Sequence, residues 1–126
     1  MREIEFRGQN INGHWAHGNL AIIKEKLDRA EIGAYISNSA GAPFAYQVRP
    51  ETVGQYTGLK DKNGKKIFER DLCWDEHNEC YGVVKFEEGK FLYVWENIAE
   101  DLQEVADGIE ICGNIHENPD LLEVAE

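Results

Sequence analysis

The chain has 126 residues, of which 42% are hydrophobic and 10% aromatic, and its formal net charge at pH 7 is −11. This apolar content excludes wholesale disorder, and the length suits one compact domain or two small subdomains. No apolar run approaches the ~20 residues that cross a bilayer, and residues 2–7 lack the apolar stretch of a signal peptide, so we expect a cytoplasmic protein without membrane contact.

Residues 1–50 predict an N-terminal β-rich subdomain. Apolar and charged residues alternate along 2–7, which is typical of a half-buried strand. Asn12-Gly13 predicts a tight turn that returns the chain as a second strand along 14–23. Further strands are expected at 34–37 and 44–48, with a loop between them at 38–43.

Residues 20–31 carry two competing signals. Ile23, Leu27 and Ala30 fall at helical spacing, and the propensities of the segment favour a helix. The flanking segments alternate as strands do, so a strand is the alternative prediction for these residues.

Residues 51–126 predict a second β-rich subdomain at the C-terminus. Asn63-Gly64 and Glu88-Gly89 are turn signals, since glycine adopts positive φ readily. Helical turns are expected in the acidic segment 98–105 and from Asn118-Pro119 onwards. The expected strands are 52–59, 65–68, 71–74, 81–86, 91–95 and 109–115. Short strands at this spacing indicate a small antiparallel barrel or sandwich.

Charge is unevenly distributed along the chain. Residues 1–70 sum to +3 and residues 71–126 to −14, and the first part contains one basic cluster, at 60–70. The acidic part opposes nucleic-acid binding, because that binding relies on cations. The division would let copies of the chain pair head-to-tail, but acidic surface also keeps a small domain soluble, and we favour the second explanation of the charge.

Three possible zinc ligands, Cys73, His77 and Cys80, are spaced as on one hairpin. The spacing differs from the paired CxxC knuckles of structural zinc sites, and a fourth ligand would have to come from Asp75 or Glu76. The odd number of cysteines indicates free thiols in a reducing compartment. We therefore expect no bound metal and no cofactor.

Catalytic groupings are equally weak in this sequence. No Ser-His-Asp or Cys-His arrangement follows from the spacing, and the neighbouring carboxylates Glu69 and Asp71 are better explained as turn caps. His14 and His17 would point to opposite faces of a strand. The aromatic residues fit a barrel core better than a base-stacking surface; they are Trp15, Tyr56, Trp74, Phe86, Phe91, Tyr93 and Trp95. We therefore expect no enzymatic activity.

Two segments carry a recognisable pattern: residues 51–69 have the sequence ETVGQYTGLKDKNGKKIFE, and residues 109–122 have the sequence IEICGNIHENPDLL. Together with the opening at 2–7, they resemble the YopX family of small proteins found in bacteriophages and prophages. That family usually has glycine at the position of Arg70, where glycine would permit a positive φ or a close approach of a ligand. Arg70 therefore argues against a ligand packed tightly on this turn.

The resemblance implies a mainly β protein whose C-terminal part forms an SH3-like barrel, and it implies a phage accessory protein in the cytoplasm of the bacterial host cell. It brings no activity with it. The polar hairpin of the longer segment and its flanks supply the candidate interaction residues: Gln55, Tyr56, Thr57, Lys60, Asp61, Lys62, Asn63, Glu69 and Asp71. The alternative is that these are turn formers and solvated lysines.

Three functions compete on this basis. The leading hypothesis is a non-catalytic protein-interaction module that forms homo-oligomers and whose protein partner is unknown. The second is a nucleic-acid-associated module that uses the basic cluster at 60–70, or an acidic mimic that binds a DNA-binding protein. The third and least favoured is a metal-dependent enzyme.

Overall fold

The computed structural model describes residues 4–24, 33–37 and 45–118. The chain divides into two compact units, an N-terminal unit of residues 1–56 and a C-terminal unit of residues 57–126. Both consist mainly of antiparallel strands, which confirms the predicted mainly β fold class. The sequence-based boundary lay after residue 50, and the SH3-like architecture of the C-terminal part stays a prediction.

The N-terminal unit is one antiparallel sheet with a short helix between its fourth and fifth strands. Its elements are β1 Phe6–Gln9, β2 Trp15–Ile23, β3 Gly33–Ser37, β4 Ala45–Val48, a 3-10 helix Pro50–Thr52 and the beginning of β5 Gly54–Lys60. The strands lie in the order β4-β3-β2-β1-β5. The predicted loop at 38–43 lies outside the described residues.

The turn predicted at Asn12-Gly13 is confirmed. Gly13 has a φ of 85°, the left-handed conformation that glycine adopts without strain. The side chain of Asn10 closes the turn, because its Oδ1 accepts the backbone N–H groups of Asn12 at 2.9 Å and His14 at 3.0 Å. The turn therefore starts β2 at Trp15.

Of the two predictions for residues 20–31, the strand is confirmed and the helix is wrong for residues 20–23, which form the end of β2. Leu20 pairs with Ile36 and Ile22 pairs with Ala34 on β3. Strand pairing and burial of the neighbouring strand override a helical propensity that amounts to tenths of a kcal/mol per residue. Residues 25–31 lie outside the described residues.

A small apolar core covers one face of the N-terminal sheet. Ala34, Ile36 and Val48 are buried, and four partly buried residues pack against them: Phe6, Ala16, Leu20 and Val53. Gly8 permits this packing, since a Cβ atom there would lie 2.7 Å from Cγ2 of Val48. Backbone N–H of Arg49 also donates to the Gln9 carbonyl at 2.8 Å, which fixes the end of β4 beside β1.

The C-terminal unit begins within β5 and contains a five-stranded antiparallel sheet. Its further elements are β6 Lys66–Phe68, β7 Asp71–Asp75, β8 Cys80–Glu87, β9 Lys90–Trp95, β10 Ile98–Asp101, α1 Leu102–Val105, a 3-10 helix Ala106–Gly108 and β11 Ile109–Asn114. β6 lies beside β5, and the large sheet has the order β10-β9-β8-β7-β11. β11 is therefore an edge strand of this sheet.

The second core is larger and contains a tyrosine. Its buried members are Ile67, Cys73, Val84, Phe91, Tyr93, Leu102, Ala106 and Ile109. The hydroxyl of Tyr93 donates to the Cys73 carbonyl at 3.0 Å, which satisfies the polar end of a fully buried ring. Gly82 leaves the space that this ring occupies, because an added Cβ atom would overlap it.

The helical turns predicted over 98–105 are confirmed only in their second half. Ile98–Asp101 pairs with β9 as a strand, and α1 begins after Asp101. The carboxylate of Asp101 accepts the backbone N–H of Gln103 at 3.0 Å, which is an ordinary N-cap. Leu102 directly after the cap is fully buried, so core packing and the cap together set the start of the helix. The helical turn predicted from Pro119 lies outside the described residues.

Candidate interaction site

The centre of the predicted site is the turn of residues 61–65 that joins β5 and β6. Asp61 is only 5% exposed, and its Oδ1 accepts the backbone N–H groups of Asn63 and Lys65, each at 2.9 Å. Its Oδ2 accepts the backbone N–H of Ile111 on β11 at 3.0 Å. One carboxylate therefore closes the turn and attaches it to the edge strand.

These hydrogen bonds decide the ionisation of Asp61. Burial raises the pKa of its carboxyl group, but the three backbone donors and the charge of Lys65 together lower the pKa by a larger amount. The pKa therefore lies below its ordinary value of 3.8. Asp61 is a charged structural residue at neutral pH, and its carboxylate oxygens are already occupied by backbone donors.

The same turn makes polar contacts along the edge strand. The backbone N–H of Lys62 donates to the Ile109 carbonyl at 3.0 Å. Its Nζ lies 3.5 Å from a carboxylate oxygen of Glu76 and 3.9 Å from one of Glu110. The side-chain amide of Asn63 also donates to Glu110 at 3.2 Å. The charge of Lys62 is therefore balanced by carboxylates of its own unit.

Two other lysines of the turn are exposed. Lys60 ends β5 and Lys65 precedes β6, so they lie on either side of the segment that Asp61 fixes. Lys66 follows and is half-buried. The surface that this turn offers to a partner consists of Lys60, Lys65 and the outer parts of Lys62 and Asn63.

Besides Asp61, three of the predicted interaction residues are buried. Tyr56 and Thr57 are 4% and 3% exposed, and the hydroxyl of Thr57 donates to the Ile67 carbonyl at 2.8 Å. Asp71 is 1% exposed, and its Oδ2 accepts the backbone N–H of Phe68 at 2.8 Å. These side chains lie below the surface that a partner would touch. Thr57 and Asp71 instead form hydrogen bonds with backbone groups of their own unit.

The turn at residues 69–70 has the backbone that the missing glycine would suit. Arg70 has a φ of 71°, a conformation that costs a non-glycine residue about 1 kcal/mol or more. Its N–H donates to the Val84 carbonyl at 2.7 Å, and its carbonyl accepts the N–H of Ile115 at 3.1 Å. Glu69 beside it and Gln55 on β5 are both half-buried. The backbone N–H and carbonyl groups of Arg70 are therefore already hydrogen-bonded within the protein and are not available to a ligand.

The possible zinc ligands occupy different environments. Cys73 is fully buried in the core, Cys80 is buried at the start of β8, and His77 is exposed in the turn between them. Burial raises the pKa of the Cys80 thiol, and the charge of Asp75 raises it further. Within residues 4–24, 33–37 and 45–118, no group of three histidine, cysteine or acidic side chains is placed to hold a metal ion.

Sequence reasoning missed a groove in the N-terminal unit. It has a volume of about 470 Å³, and its lining residues are Asn10, His14, Trp15, Ala16, His17 and Tyr46. His14 precedes β2 instead of lying on it, so it reaches the same groove as His17 despite the expected opposite orientation. The turn signal at Asn12-Gly13 could have revealed this placement. A strand that begins only after the turn does not include His14, so the alternation of side chains along the strand does not apply to it.

The fold and the site define a class of small, mainly β protein with two antiparallel units. A family model described as YopX protein matches residues 5–123, and the chain belongs to the YopX family. The crystal structure of protein EF1440 from Enterococcus faecalis is similar, with a TM-score of 0.60 and 23% sequence identity over 97% of this chain and 99% of that chain. At this identity the likeness concerns the fold alone. No curated protein matches the chain.

In the described part of the chain, no helix is both long enough and apolar enough to cross a membrane.

Proposed function

We propose that this YopX-family chain is a non-catalytic protein-interaction module that associates with copies of itself. The observation that carries the proposal is the turn at 61–65, whose backbone Asp61 fixes and whose lysines are exposed. A turn that is already ordered loses little conformational entropy on binding. We further propose that the protein acts as a phage or prophage accessory protein in the bacterial cytoplasm.

Charge supports a role for this turn in association. Residues 57–126 contain seven Lys or Arg and eighteen Asp or Glu, whereas residues 1–56 contain six of each. The C-terminal unit therefore carries the whole net charge of −11. A basic turn within so acidic a unit attracts the acidic surface of a second copy. Such a head-to-tail contact is heterologous, so it produces rings or chains of copies.

Size-exclusion chromatography with light scattering tests this proposal at ~50 mM and ~500 mM salt, because screening at the higher value weakens exposed charge pairs. The wild-type chain is expected to exceed the monomer mass at low salt and to approach it at high salt. Lys60→Glu with Lys65→Glu should give a monomer at both. Lys85→Glu with Lys90→Glu is the matched control and should behave as wild type, since it changes the net charge equally at exposed positions of the same unit.

Two outcomes would contradict the proposal. A wild-type monomer at both salt concentrations would refute self-association. An oligomer that resists salt and survives the Lys60 and Lys65 substitutions would place the contact elsewhere on the molecule.

The acidity of the C-terminal unit also favours a second candidate, an acidic mimic that binds a DNA-binding protein. A unit with the net charge of residues 57–126 has the same sign of charge as the phosphate backbone. Tagged chain incubated with bacterial lysate at low salt should then retain DNA-binding proteins that ~500 mM salt releases. Retention of nucleic acid by the chain itself would instead support direct binding through the cluster at 60–70.

A further inference from the structure

The groove in the N-terminal unit is a second candidate site, separate from the turn on which the proposed function rests. Its volume of about 470 Å³ lies within the ~300–1,000 Å³ of ordinary small-molecule sites. Of the six described residues that line it, three have aromatic or imidazole rings on β2 or the turn before it, one is a tyrosine on β4, and none is acidic. This combination suits a ligand that carries both a flat ring and a negative charge.

One wall of the groove is preformed by backbone and side-chain hydrogen bonds. The N–H of Asn10 donates to the His14 carbonyl at 2.9 Å. The side-chain amide of Gln9 donates to the Gly13 carbonyl at 3.1 Å, and the Gln9 side-chain oxygen in turn accepts a hydrogen bond from Arg49. Binding here would not have to order this turn, which lowers the entropic cost of binding.

Two aromatic rings supply the surface for a flat ligand. Cζ of Arg7 lies 4.8 Å from the ring centroid of Trp15, a cation–π contact that orients the indole. Tyr46 is 51% exposed on β4, so its ring is available from solvent. Aromatic side chains stack on any nucleobase, because every base has a π face.

Imidazole and amide groups supply donors for an anion. His14 and His17 line the groove from the turn and from β2, and Asn10 lies between the turn and β1. Nδ1 of His17 lies 3.3 Å from a carboxylate oxygen of Glu5, which orients the imidazole ring. Donors of these types are those that bind phosphate oxygens in proteins.

We propose that this groove binds a nucleoside monophosphate, with the base against Trp15 and Tyr46 and the phosphate against His14. The N-terminal unit holds equal numbers of basic and acidic residues, so it does not repel a small anion. The whole chain carries −11, which disfavours a long polyanion. The charge therefore selects a mononucleotide over a nucleic-acid polymer.

An NMR titration of the isotope-labelled full chain with AMP and with UMP tests the proposal. We expect saturable shifts confined to residues 10–17 and 46, with a dissociation constant below ~1 mM for at least one nucleotide. Adenosine or uridine, without phosphate, and ribose 5-phosphate, without a base, should each bind about tenfold more weakly.

Substitutions of exposed lining residues locate the site. Tyr46→Ala and His14→Ala should each weaken nucleotide binding about tenfold and leave the thermal unfolding midpoint near wild type, since both side chains are exposed. His77→Ala is the matched control, because His77 is exposed in the other unit and should not change binding.

Four results would overturn the proposal. These are the absence of saturable shifts up to ~10 mM nucleotide, equal binding of a nucleoside or ribose 5-phosphate, wild-type affinity in the Tyr46→Ala and His14→Ala variants, and tighter binding of a short single-stranded oligonucleotide than of the mononucleotide.

Discussion

At the scale of single residues, Asp61 sets local structure through its charge, and Gly82 does so through the space that its missing side chain leaves. Asp61 accepts hydrogen bonds from its own turn and from Ile111, fifty positions further along the chain. Gly82 contributes the absence of a side chain, which gives the Tyr93 ring its place in the core. The sequence predicted the turn around Asp61 from its composition, but neither long-range contact.

Replacing Asp61 tests its structural role. In Asp61→Asn, the amide presents an NH₂ group where one carboxylate oxygen accepted a hydrogen bond, so a backbone donor loses its partner. We expect the free energy of unfolding at pH 7 to fall by about 1–3 kcal/mol, measured by urea denaturation. Asp107→Asn is the control, because Asp107 is exposed in the 3-10 helix after α1 and the change should be close to neutral.

The same pair of proteins gives a pH dependence with a defined sign. The pKa of Asp61 is lower in the folded state than its ordinary value of 3.8, so its ionised form stabilises the fold. That contribution is complete above pH 3.8 and is lost as the pH falls through the lower folded pKa. The difference between wild type and Asp61→Asn should therefore shrink below about pH 4. A difference that grows with acidity would contradict this role.

Filling the space at Gly82 should destabilise the C-terminal unit. The methyl group of Gly82→Ala overlaps the buried Tyr93 ring, and relief requires a shift of the ring or of β8. We expect a loss of about 1–3 kcal/mol in the free energy of unfolding. Gly108→Ala is the matched control, since an added Cβ has no heavy atom within 4 Å there. Similar losses in both variants would mean that glycine's backbone, not the space, matters.

At the scale of elements, the hairpin of β8 and β9 is confirmed with the turn that its sequence predicts. Glu87 pairs with Lys90, which leaves Glu88-Gly89 as a two-residue loop. Glu88 has a φ of 53° and Gly89 one of 83°, the pair of positive values found in type I′ turns. Asn-Gly is the preferred sequence for that turn, so glutamate occupies a position where it is strained.

Glu88→Asn should therefore stabilise the protein. Asparagine adopts positive φ at lower cost than glutamate, and we expect the free energy of unfolding to rise by about 0.5–1 kcal/mol. Thermal unfolding measures the gain. Glu88→Gln removes the same charge without changing the backbone preference, so an equal gain in that variant would attribute the effect to charge and contradict the turn argument.

At the scale of the whole molecule, charge distinguishes the two units. The C-terminal unit carries a net charge of −11 and the N-terminal unit none. Self-repulsion of like charge destabilises a compact state, and salt screens it. The two units should therefore respond differently to ionic strength.

Urea unfolding followed by NMR of the tryptophan indole N–H groups separates the two responses, because Trp15 reports on the N-terminal unit and Trp74 and Trp95 on the C-terminal unit. Raising sodium chloride from ~20 to ~300 mM should increase the unfolding midpoint seen by Trp74 and Trp95 and leave that of Trp15 unchanged. Equal shifts at all three tryptophans would contradict an effect confined to the C-terminal unit.

Local pattern was enough to predict the mainly β fold and the turns at Asn12-Gly13, Asn63-Gly64 and Glu88-Gly89. The alternation of apolar and polar residues and the φ preferences of glycine and asparagine involve only a few neighbouring residues, so both can be recognised from the sequence. Sequence alone left residues 20–31 open between helix and strand, and pairing with β3 decided in favour of a strand for residues 20–23.

Tertiary structure alone decided which polar residues are at the surface and which groups lie together. Lys60, Asp61 and Asp71 are all polar members of the predicted interaction site, yet Asp61 and Asp71 are buried and Lys60 is exposed. The groove joins residues 10–17 to Tyr46, which are distant in the chain. Strand register decides which distant residues lie together. The alternation of side chains with a period of two specifies which face of a strand a residue is on, but not which strand lies beside it.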